Sequence, residues 1–264
     1  MKAFVDGIGL LAPGISSWSA ARSVLSGMAP YSGGEMARPS ADLLPPIERR
    51  RCGEPAKLAL HVGVEALVQS GARADAVPTV FTSSSGNGEV LHQICGTLAT
   101  AERELSPTRF HNSVHNAPAG YWSIATGSRE PSVSLCAYQG SFAAGLVEAA
   151  LQASAEQRPV LLIACDTVHP EPLHTVCPVI APFAVAVLLG AAASRASCAA
   201  IELTLGRNGE ATRLADRALE ALRQGNAAAR SLPLLAAIAA QRRGTVTIEY
   251  LPQLSLAAVV EPFQ

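Results

Sequence analysis

Lysine is nearly absent from this sequence: of its 20 basic residues, only Lys2 and Lys57 are lysines. Charged residues make up 16% of the chain and the formal net charge is -1, so neither a nucleic-acid surface nor an acidic tail is indicated. The six cysteines contain no C-x-x-C pair, which argues against a zinc site and a disulfide framework. We expect reduced thiols, no metal and no cofactor.

Long apolar segments are also missing. The longest run, residues 183–193, is much shorter than the roughly 20 residues that span a bilayer. Asp6 interrupts the apolar start of the chain, which therefore lacks the form of a secretory signal. These features predict a soluble, cytoplasmic protein without a membrane span.

What the sequence does contain is enough apolar material for a large core, with 49% hydrophobic residues. Strand-like apolar segments alternate with helical periodicity along the chain, which predicts an α/β fold with helices covering a sheet. The clearest segments are helices at 56–72, 140–155 and 211–225 and strands at 2–11, 131–137, 158–167 and 181–191, of which 158–167 is of the buried, parallel type. Ser16 or Ser17 can cap a further helix that runs to about residue 27, and another helix is predicted from about 89 to 104. Residues 244–251 and 253–262 are predicted to form a closing pair of strands.

Two polar stretches invite a functional interpretation. SSSGNG, residues 83–88, lacks both G-x-G-x-x-G and a P-loop lysine, so it is interpreted as a tight strand-to-helix connection. In FHNSVHN, His111 and His115 would share one face of a helix, but no neighbouring residue completes a metal site. Asn112 and Asn116 are expected to satisfy buried backbone in a loop.

Histidine disappears from the last third of the chain. His169 and His174 lie in a proline-rich stretch and are predicted to be exposed, and no histidine follows Thr175. The terminal part therefore offers no imidazole base.

Cys136 lies between an apolar strand and a helix rich in small residues. A helix N-terminus favours a thiolate, but a cysteine nucleophile also needs a base or an oxyanion donor. Two alternatives therefore stay open for Cys136, a reactive thiol or a buried small hydrophobe.

The segment SPTRFHNSVHNAPAGYWSIATGSREPSVSLCAYQGSFAAGLVEAAL, residues 106–151, resembles the N-terminal half of β-ketoacyl synthases without a gap. FVDGIGLLAPG and VFTSSSGNGEVLHQ are similar to earlier parts of the same family. The resemblance implies a thiolase-like α-β-α layered fold, the N-terminal half of a ketosynthase followed by a truncated C-terminal portion. We predict a ketosynthase-like domain over 1–205, which a reduced segment over 206–264 completes.

The family register assigns the nucleophile position to Ala137. Family enzymes read T-A-C-x-x-G, and the residue three before Gly140 is Ala137, so Cys136 falls one position early. Neighbouring positions on a helix point about 100° apart, so a thiol there would face a different pocket. Family enzymes also use two histidines and a lysine in their C-terminal half, which this chain lacks. The resemblance therefore implies no catalytic residue.

This pattern is similar to the chain length factors, silent homologues that pair with an active ketosynthase, and to their short forms in aryl polyene pathways. The implied partner is an active ketosynthase, with acyl carrier protein as a further partner. In that family, the strand before the nucleophile helix pairs across the dimer. Residues implied near the tunnel or partner interface are Tyr121, Trp122, Val133, Leu135, Tyr138 and Phe142.

Two other functions compete with this one. A thiol-dependent acyltransferase or thioesterase would use Cys136, with His111, His115 or His169 as its base. A free-standing module that binds acyl carrier protein would need a positive surface, from Arg49–Arg51 or from Arg213, Arg217 and Arg223. Those arginines are instead expected on solvated faces.

Overall fold

A computed structural model describes residues 1–207 and 209–263, which form eight strands and ten helices. The strands are β1 (Lys2–Leu11), β2 (Thr79–Thr82), β3 (Ser132–Leu135), β4 (Val160–Asp166), β5 (Phe183–Gly190), β6 (Ala199–Arg207), β7 (Gly244–Glu249) and β8 (Leu254–Pro262). The helices are α1 (Trp18–Leu25), α2 (Pro46–Arg51), α3 (Glu54–Ser70), α4 (Gly88–Leu98), α5 (Pro107–Ser113), α6 (Ala117–Thr126), α7 (Ser141–Glu156), α8 (Leu173–Val176), α9 (Arg217–Gly225) and α10 (Leu232–Ala239).

The described strands form one mixed sheet in the order β3-β2-β4-β5-β1-β6-β8-β7. β2 runs parallel to β3 and β4, and the remaining pairs are antiparallel. The sequence predicted β4 as a parallel-type strand. Its pairing with β2 is parallel, as predicted, whereas its pairing with β5 is antiparallel, so the prediction is wrong for that pair. Its burial on both faces, rather than its pairing, produces the continuous apolar run.

Helices cover both faces of the sheet. α7, α1 and α10 pack with one hydrophobic cluster, and α3 and α6 pack with the other. The predicted α-β-α layering is confirmed. The division after residue 205 falls within β6, whose partner β8 belongs to the terminal segment, and the division itself stays a prediction.

β1 and α3 approach each other through two glycines of the strand. A Cβ on Gly9 would lie 1.9 Å from the Val62 carbonyl oxygen, and one on Gly7 would lie 2.0 Å from that of Ala66. Glu65 lies on the same helix, between Val62 and Ala66. Its carboxylate accepts hydrogen bonds from the backbone N–H groups of Leu10, at 2.9 Å, and Trp18, at 2.7 Å. The absence of a side chain at Gly7 and Gly9 therefore lets α3 lie directly on this part of the strand.

Several element ends differ from their predicted positions, and a side-chain cap explains one of them. The Asp216 carboxylate accepts from the N–H groups of Ala218 and Leu219, so α9 begins at Arg217 rather than at 211. α4 ends at Leu98, before the predicted 104. β3 ends at Leu135, and α10, with its all-round apolar sequence, was not predicted. The predicted closing pair of strands, β7 and β8, is confirmed.

Candidate functional site

The candidate site is the turn between β3 and α7, which we call the elbow, residues Cys136–Gly140. Ala137 leaves the strand with φ -134° and ψ 35°, and Tyr138 adopts a left-handed φ of 49°. Such a conformation is uncommon for a residue with a side chain and carries a strain of about 1–3 kcal/mol. The elbow thus presents Ala137 at the start of a sharp turn, ahead of the helix.

Ser141, the first residue of α7, holds the elbow in place. Its Oγ accepts a hydrogen bond from the Ala137 N–H at 3.0 Å. The same Oγ lies 2.7 Å from the Tyr138 carbonyl oxygen and 3.0 Å from that of Ser83, either of which accepts its hydrogen. The N–H of Ala137 is therefore already engaged and is not free to act as an oxyanion donor.

The terminal segment closes over the other side of the elbow. A Cβ on Gly140 would lie 2.0 Å from the Tyr250 carbonyl oxygen, so glycine allows the turn after β7 to approach the elbow directly. Gly145, one turn into α7, packs in the same way on β2, because a Cβ there would lie 2.2 Å from Thr82 Cγ2. Gly140 thus lets the hairpin of β7 and β8, which we call the terminal hairpin, contact the elbow, and Gly145 lets α7 lie directly on the sheet.

Cys136 is exposed, so the alternative that it is a buried small hydrophobe is wrong. Its Sγ lies 2.8 Å from the Ser84 carbonyl oxygen, a contact in which the thiol donates its hydrogen. A 3₁₀ turn over Tyr138–Gly140 separates the residue from α7. The influence of a helix N-terminus is confined to its first turn, so Cys136 lies outside it.

The histidines do not converge on Cys136. His111, in α5, packs edge-on against Tyr121 with ring centroids 5.6 Å apart. His115 lies beyond the end of α5, so the two histidines do not share a helix face. No hydrogen bond among the described residues joins an imidazole to the Cys136 thiol. Those residues also contain no group of three or more His, Cys, Asp or Glu side chains that could hold a metal ion.

His169 was predicted to be exposed, and this prediction is wrong. Its Nε2 lies 2.7 Å from Ser85 Oγ, and its ring packs against Gly88, where a Cβ would lie 2.1 Å from Nδ1. Burial lowers the pKa of this imidazole, and the nearby His174 acts in the same direction. The proline-rich stretch folds back onto the loop after β2 instead of extending into solvent.

The loop after β2 is a structural connection, as interpreted from its sequence. Asp166, at the end of β4, accepts hydrogen bonds from the Ser84 N–H and hydroxyl, both at 2.7 Å, and from the Ala228 N–H at 3.1 Å. Burial raises the pKa of its carboxyl to about 6, although these hydrogen bonds favour the charged form. Asp166 thereby joins the sheet, this loop and the terminal segment.

Asn112 has the role expected of it, although it lies in a helix rather than a loop. Its side-chain amide donates to the carbonyl oxygens of Arg51, at 2.9 Å, and Thr108, at 3.0 Å. Asn116 is the N-cap residue of α6, with no hydrogen bond from its side chain at that cap. Asn112 therefore supports the backbone around the site, whereas no such side-chain contact is found for Asn116 at this cap.

The side chains that were predicted near a tunnel or a partner separate into two groups. Tyr121, Trp122 and Phe142 are buried in the two hydrophobic clusters. Val133 and Leu135 are half-buried on β3, and Tyr138 is exposed at the elbow. Only the second group lies where another chain can reach it directly.

Sequence reasoning missed the charged cluster beside the elbow. Arg223 was expected on a solvated face, but only 5% of its side chain is exposed. It binds Glu220 from its own helix at 2.8 Å and Glu249 from β7 at 2.6 Å. Arg230 lies 3.7 Å from the same Glu249 carboxylate. The spacing of Glu220 and Arg223 was the available signal, since residues three apart meet on a helix.

The sheet is covered by helices on both faces, and the strained elbow joins β3 to α7. This arrangement agrees with a thiolase-like α/β protein. The family description "Beta-ketoacyl synthase, N-terminal domain" matches residues 18–250. The chain therefore belongs to the β-ketoacyl synthase family, as its sequence motifs predicted. Comparison with curated proteins finds no match.

Solved ketosynthase complexes share this fold. One is the complex of ketosynthase ApeO with its chain length factor ApeC from Xenorhabdus doucetiae, with TM-score 0.76 and 23% identity over 98% of this chain and 99% of that chain. The ishigamide ketosynthase/chain length factor gives 0.75 and 15% over the whole of both chains. The complex AntDE:AntF, of a type II acyl-carrier protein with its ketosynthase, gives 0.79 and 10% over 99% of both. At these identities, the likeness concerns the fold alone.

No helix among the described residues combines the length and the apolar character that crossing a membrane requires.

We expect iodoacetamide at pH 7 to modify Cys136 no faster than Cys95, an exposed cysteine on α4 that serves as an internal reference. The reason is that the Cys136 thiol donates to a carbonyl oxygen and, in the described part of the chain, no imidazole is hydrogen-bonded to it to take its proton. Peptide mass spectrometry over a time course gives both rates, and a Cys136→Ala variant confirms the assignment. Labelling of Cys136 at least about tenfold faster than Cys95 would instead identify an activated nucleophile.

Proposed function

We propose that this chain is a non-catalytic, chain-length-factor-like subunit that pairs with an active ketosynthase. The observation that carries the proposal is the elbow, where the position assigned to the nucleophile holds the methyl group of Ala137. The neighbouring groups add no catalytic function, because the Ala137 N–H is engaged by Ser141 Oγ and the facing side chains are Arg230 and Glu249 rather than histidines. Removing several members of a cooperative catalytic set costs orders of magnitude in rate.

The edge of the sheet supplies the means of pairing. β3 is the outermost strand of the described sheet, and its only strand neighbour there is β2. Its sequence SVSL carries neither a charge nor a proline to block the addition of another strand. Strand addition across this edge would cover Val133, Leu135 and the exposed Tyr138. The solved complexes of ketosynthases with chain length factors, which share this fold, are consistent with such a pair.

In this proposal, the active ketosynthase carries out the condensation, and an acyl carrier protein delivers the growing chain to it. The present chain stabilises the ketosynthase and contributes to the wall that limits chain length. Tyr121, Trp122 and Phe142, as buried aromatic side chains, would influence such a wall through the packing behind it.

Co-expression with the ketosynthase of the same pathway tests the proposal. We expect a stable 1:1 complex by size-exclusion chromatography with light scattering, and condensation that requires both chains. Cys136→Ala in this chain should leave the rate unchanged, whereas replacing the nucleophile of the ketosynthase should abolish it. A ketosynthase that is soluble and fully active alone, with no complex formed, would contradict the proposal.

A thiol-dependent acyltransferase is the second candidate, and the exposure of Cys136 is the observation that favours it. Its requirement for a base is unmet among the hydrogen bonds of the described residues. An acyl group on Cys136 that turns over without the ketosynthase would support this alternative.

A further inference from the structure

The elbow and the terminal hairpin border an open groove with a volume of about 580 Å³. Ala137–Gly140 form one wall, and Glu249–Pro252, at the turn after β7, form the other. Arg230, from the 3₁₀ turn Ala228–Ser231 that precedes α10, lies between them. The groove therefore places a guanidinium group beside the position assigned to the nucleophile.

The side chain of Arg230 makes no hydrogen bond to the described residues. Only 15% of its side chain is exposed, and its Nε is buried without a partner among the described residues. The nearest carboxylate oxygen, Glu249 Oε2, lies 3.7 Å from Nη1, beyond hydrogen-bond distance, and already accepts from Arg223 at 2.6 Å. Arg230 thus has a nearby opposite charge, but no oxygen of the described residues accepts a hydrogen bond from its guanidinium.

The charged residues around Arg230 do not supply the missing hydrogen-bond acceptor. Glu220 and Glu249 together balance the charges of Arg223 and Arg230, yet Arg223 donates three hydrogen bonds to these carboxylates and Arg230 donates none among the described residues. Burial lowers the pKa of the Arg230 guanidinium, and Glu249 opposes that shift. A buried guanidinium is costly to the protein unless its donors meet acceptors. A bound oxyanion would meet them.

A second unsatisfied group lines the same groove. Gln139 Oε1 is buried without a hydrogen-bond partner in the described part of the chain. The groove therefore has an unmatched donor on Arg230 and an unmatched acceptor on Gln139. A ligand with an anionic oxygen next to an N–H or O–H group would complement both.

We propose that this groove is an oxyanion-binding site, in which Arg230 donates to a carboxylate or phosphate group and Gln139 accepts from the ligand. Arg guanidinium groups suit both anions because their planar donors match two oxygens at once. The proposal does not depend on pairing with a ketosynthase, since every group involved belongs to this chain. It assigns a ligand to a place where no reaction is expected.

Isothermal titration calorimetry with sodium malonate, and separately with sodium phosphate, tests the site at constant ionic strength against sodium chloride. We expect saturable binding of at least one of the two anions, and the comparison tells whether carboxylate or phosphate is preferred. Arg230→Gln should raise the dissociation constant about tenfold or more, as expected for the loss of a charged hydrogen-bond partner. Arg213→Gln, which removes a 69% exposed arginine, is the matched control and should leave it unchanged.

A second variant covers the case in which Arg230→Gln does not fold. Leu251 lines the groove and is 42% exposed, so Leu251→Glu adds a competing carboxylate without touching Arg230. We expect Leu251→Glu to abolish anion binding and the isosteric Leu251→Gln to retain it. Absence of saturable binding to the unmodified chain, or binding that survives both Arg230→Gln and Leu251→Glu, would overturn the proposal. Complex formation with a ketosynthase is measured separately, so failure of one proposal is distinguishable from failure of the other.

Discussion

Replacing Ser134 by proline is expected to weaken the proposed complex with a ketosynthase by on the order of 100-fold while leaving the chain folded. The Thr79 N–H donates to the Pro131 carbonyl oxygen, at 3.1 Å, and Thr79 is paired with Ser132. In a parallel ladder with this register, the backbone groups of Val133 face β2 and those of Ser134 face away from it. Proline at 134 therefore removes a donor that only an added strand would use.

The expected loss of affinity is large because the proline ring also obstructs the approach of the partner strand. Together, the missing hydrogen bond and the obstruction correspond to about 3 kcal/mol, on the order of 100-fold in the dissociation constant. Co-purification and light scattering measure the complex, and circular dichroism with thermal melting checks the fold. Ser134→Ala keeps the N–H and is the matched control. If the Ser134→Pro complex remains within tenfold of the original affinity, pairing does not use this edge.

Gly9→Ala is expected to lower the free energy of unfolding by about 3 kcal/mol or more, a large part of the stability of a typical domain. Overpacking of a core usually costs about 1–3 kcal/mol when side chains can adjust. At Gly9 the new methyl group would meet the backbone oxygen of Val62 at 1.9 Å, and the backbone of a 17-residue helix cannot adjust locally. The helix would have to move off the strand, which would also break the Glu65 contacts with Leu10 and Trp18.

Gly96→Ala is the control for this substitution, because a Cβ at Gly96, within α4, meets nothing within 4 Å. It should increase stability by about 0.5–1 kcal/mol, since alanine is the better helix former. Denaturant unfolding of the three proteins gives the comparison. A Gly9→Ala protein within about 1 kcal/mol of the original would show that β1 and α3 do not pack as closely as the structure indicates.

Much of the fold was predictable because local patterns determine single elements. The continuous apolar run of β4, the small residues of α7 and the serine before α1 each indicated the observed element. Of the two serines that could cap α1, Ser16 and Ser17, it is Ser17 that accepts from the Ala20 N–H. The family motifs added the layered architecture, which the match to the β-ketoacyl synthase family confirms.

The surroundings of the elbow were less predictable, because they are made by residues distant in sequence. The neighbouring prolines led to the prediction that His169 is exposed. It instead packs on Gly88 and Ser85, which are more than 80 residues away in the sequence. Arg223 was placed on a solvated face, but β7 brings Glu249 to it. A helical pattern shows which residues share a face, but not which charged residue of another element will be buried against that face.

The sequence by itself determined that Ala137 occupies the position assigned to the nucleophile and that no histidine follows His174, since both are matters of residue identity. It also determined most strands and helices, since hydrophobic periodicity reports on local structure. Only the tertiary structure decided that β3 lies at the edge of the sheet and that Arg230 lies beside the elbow with unsatisfied donors. Strand order and burial arise from contacts between distant segments, and local periodicity contains no information about those contacts.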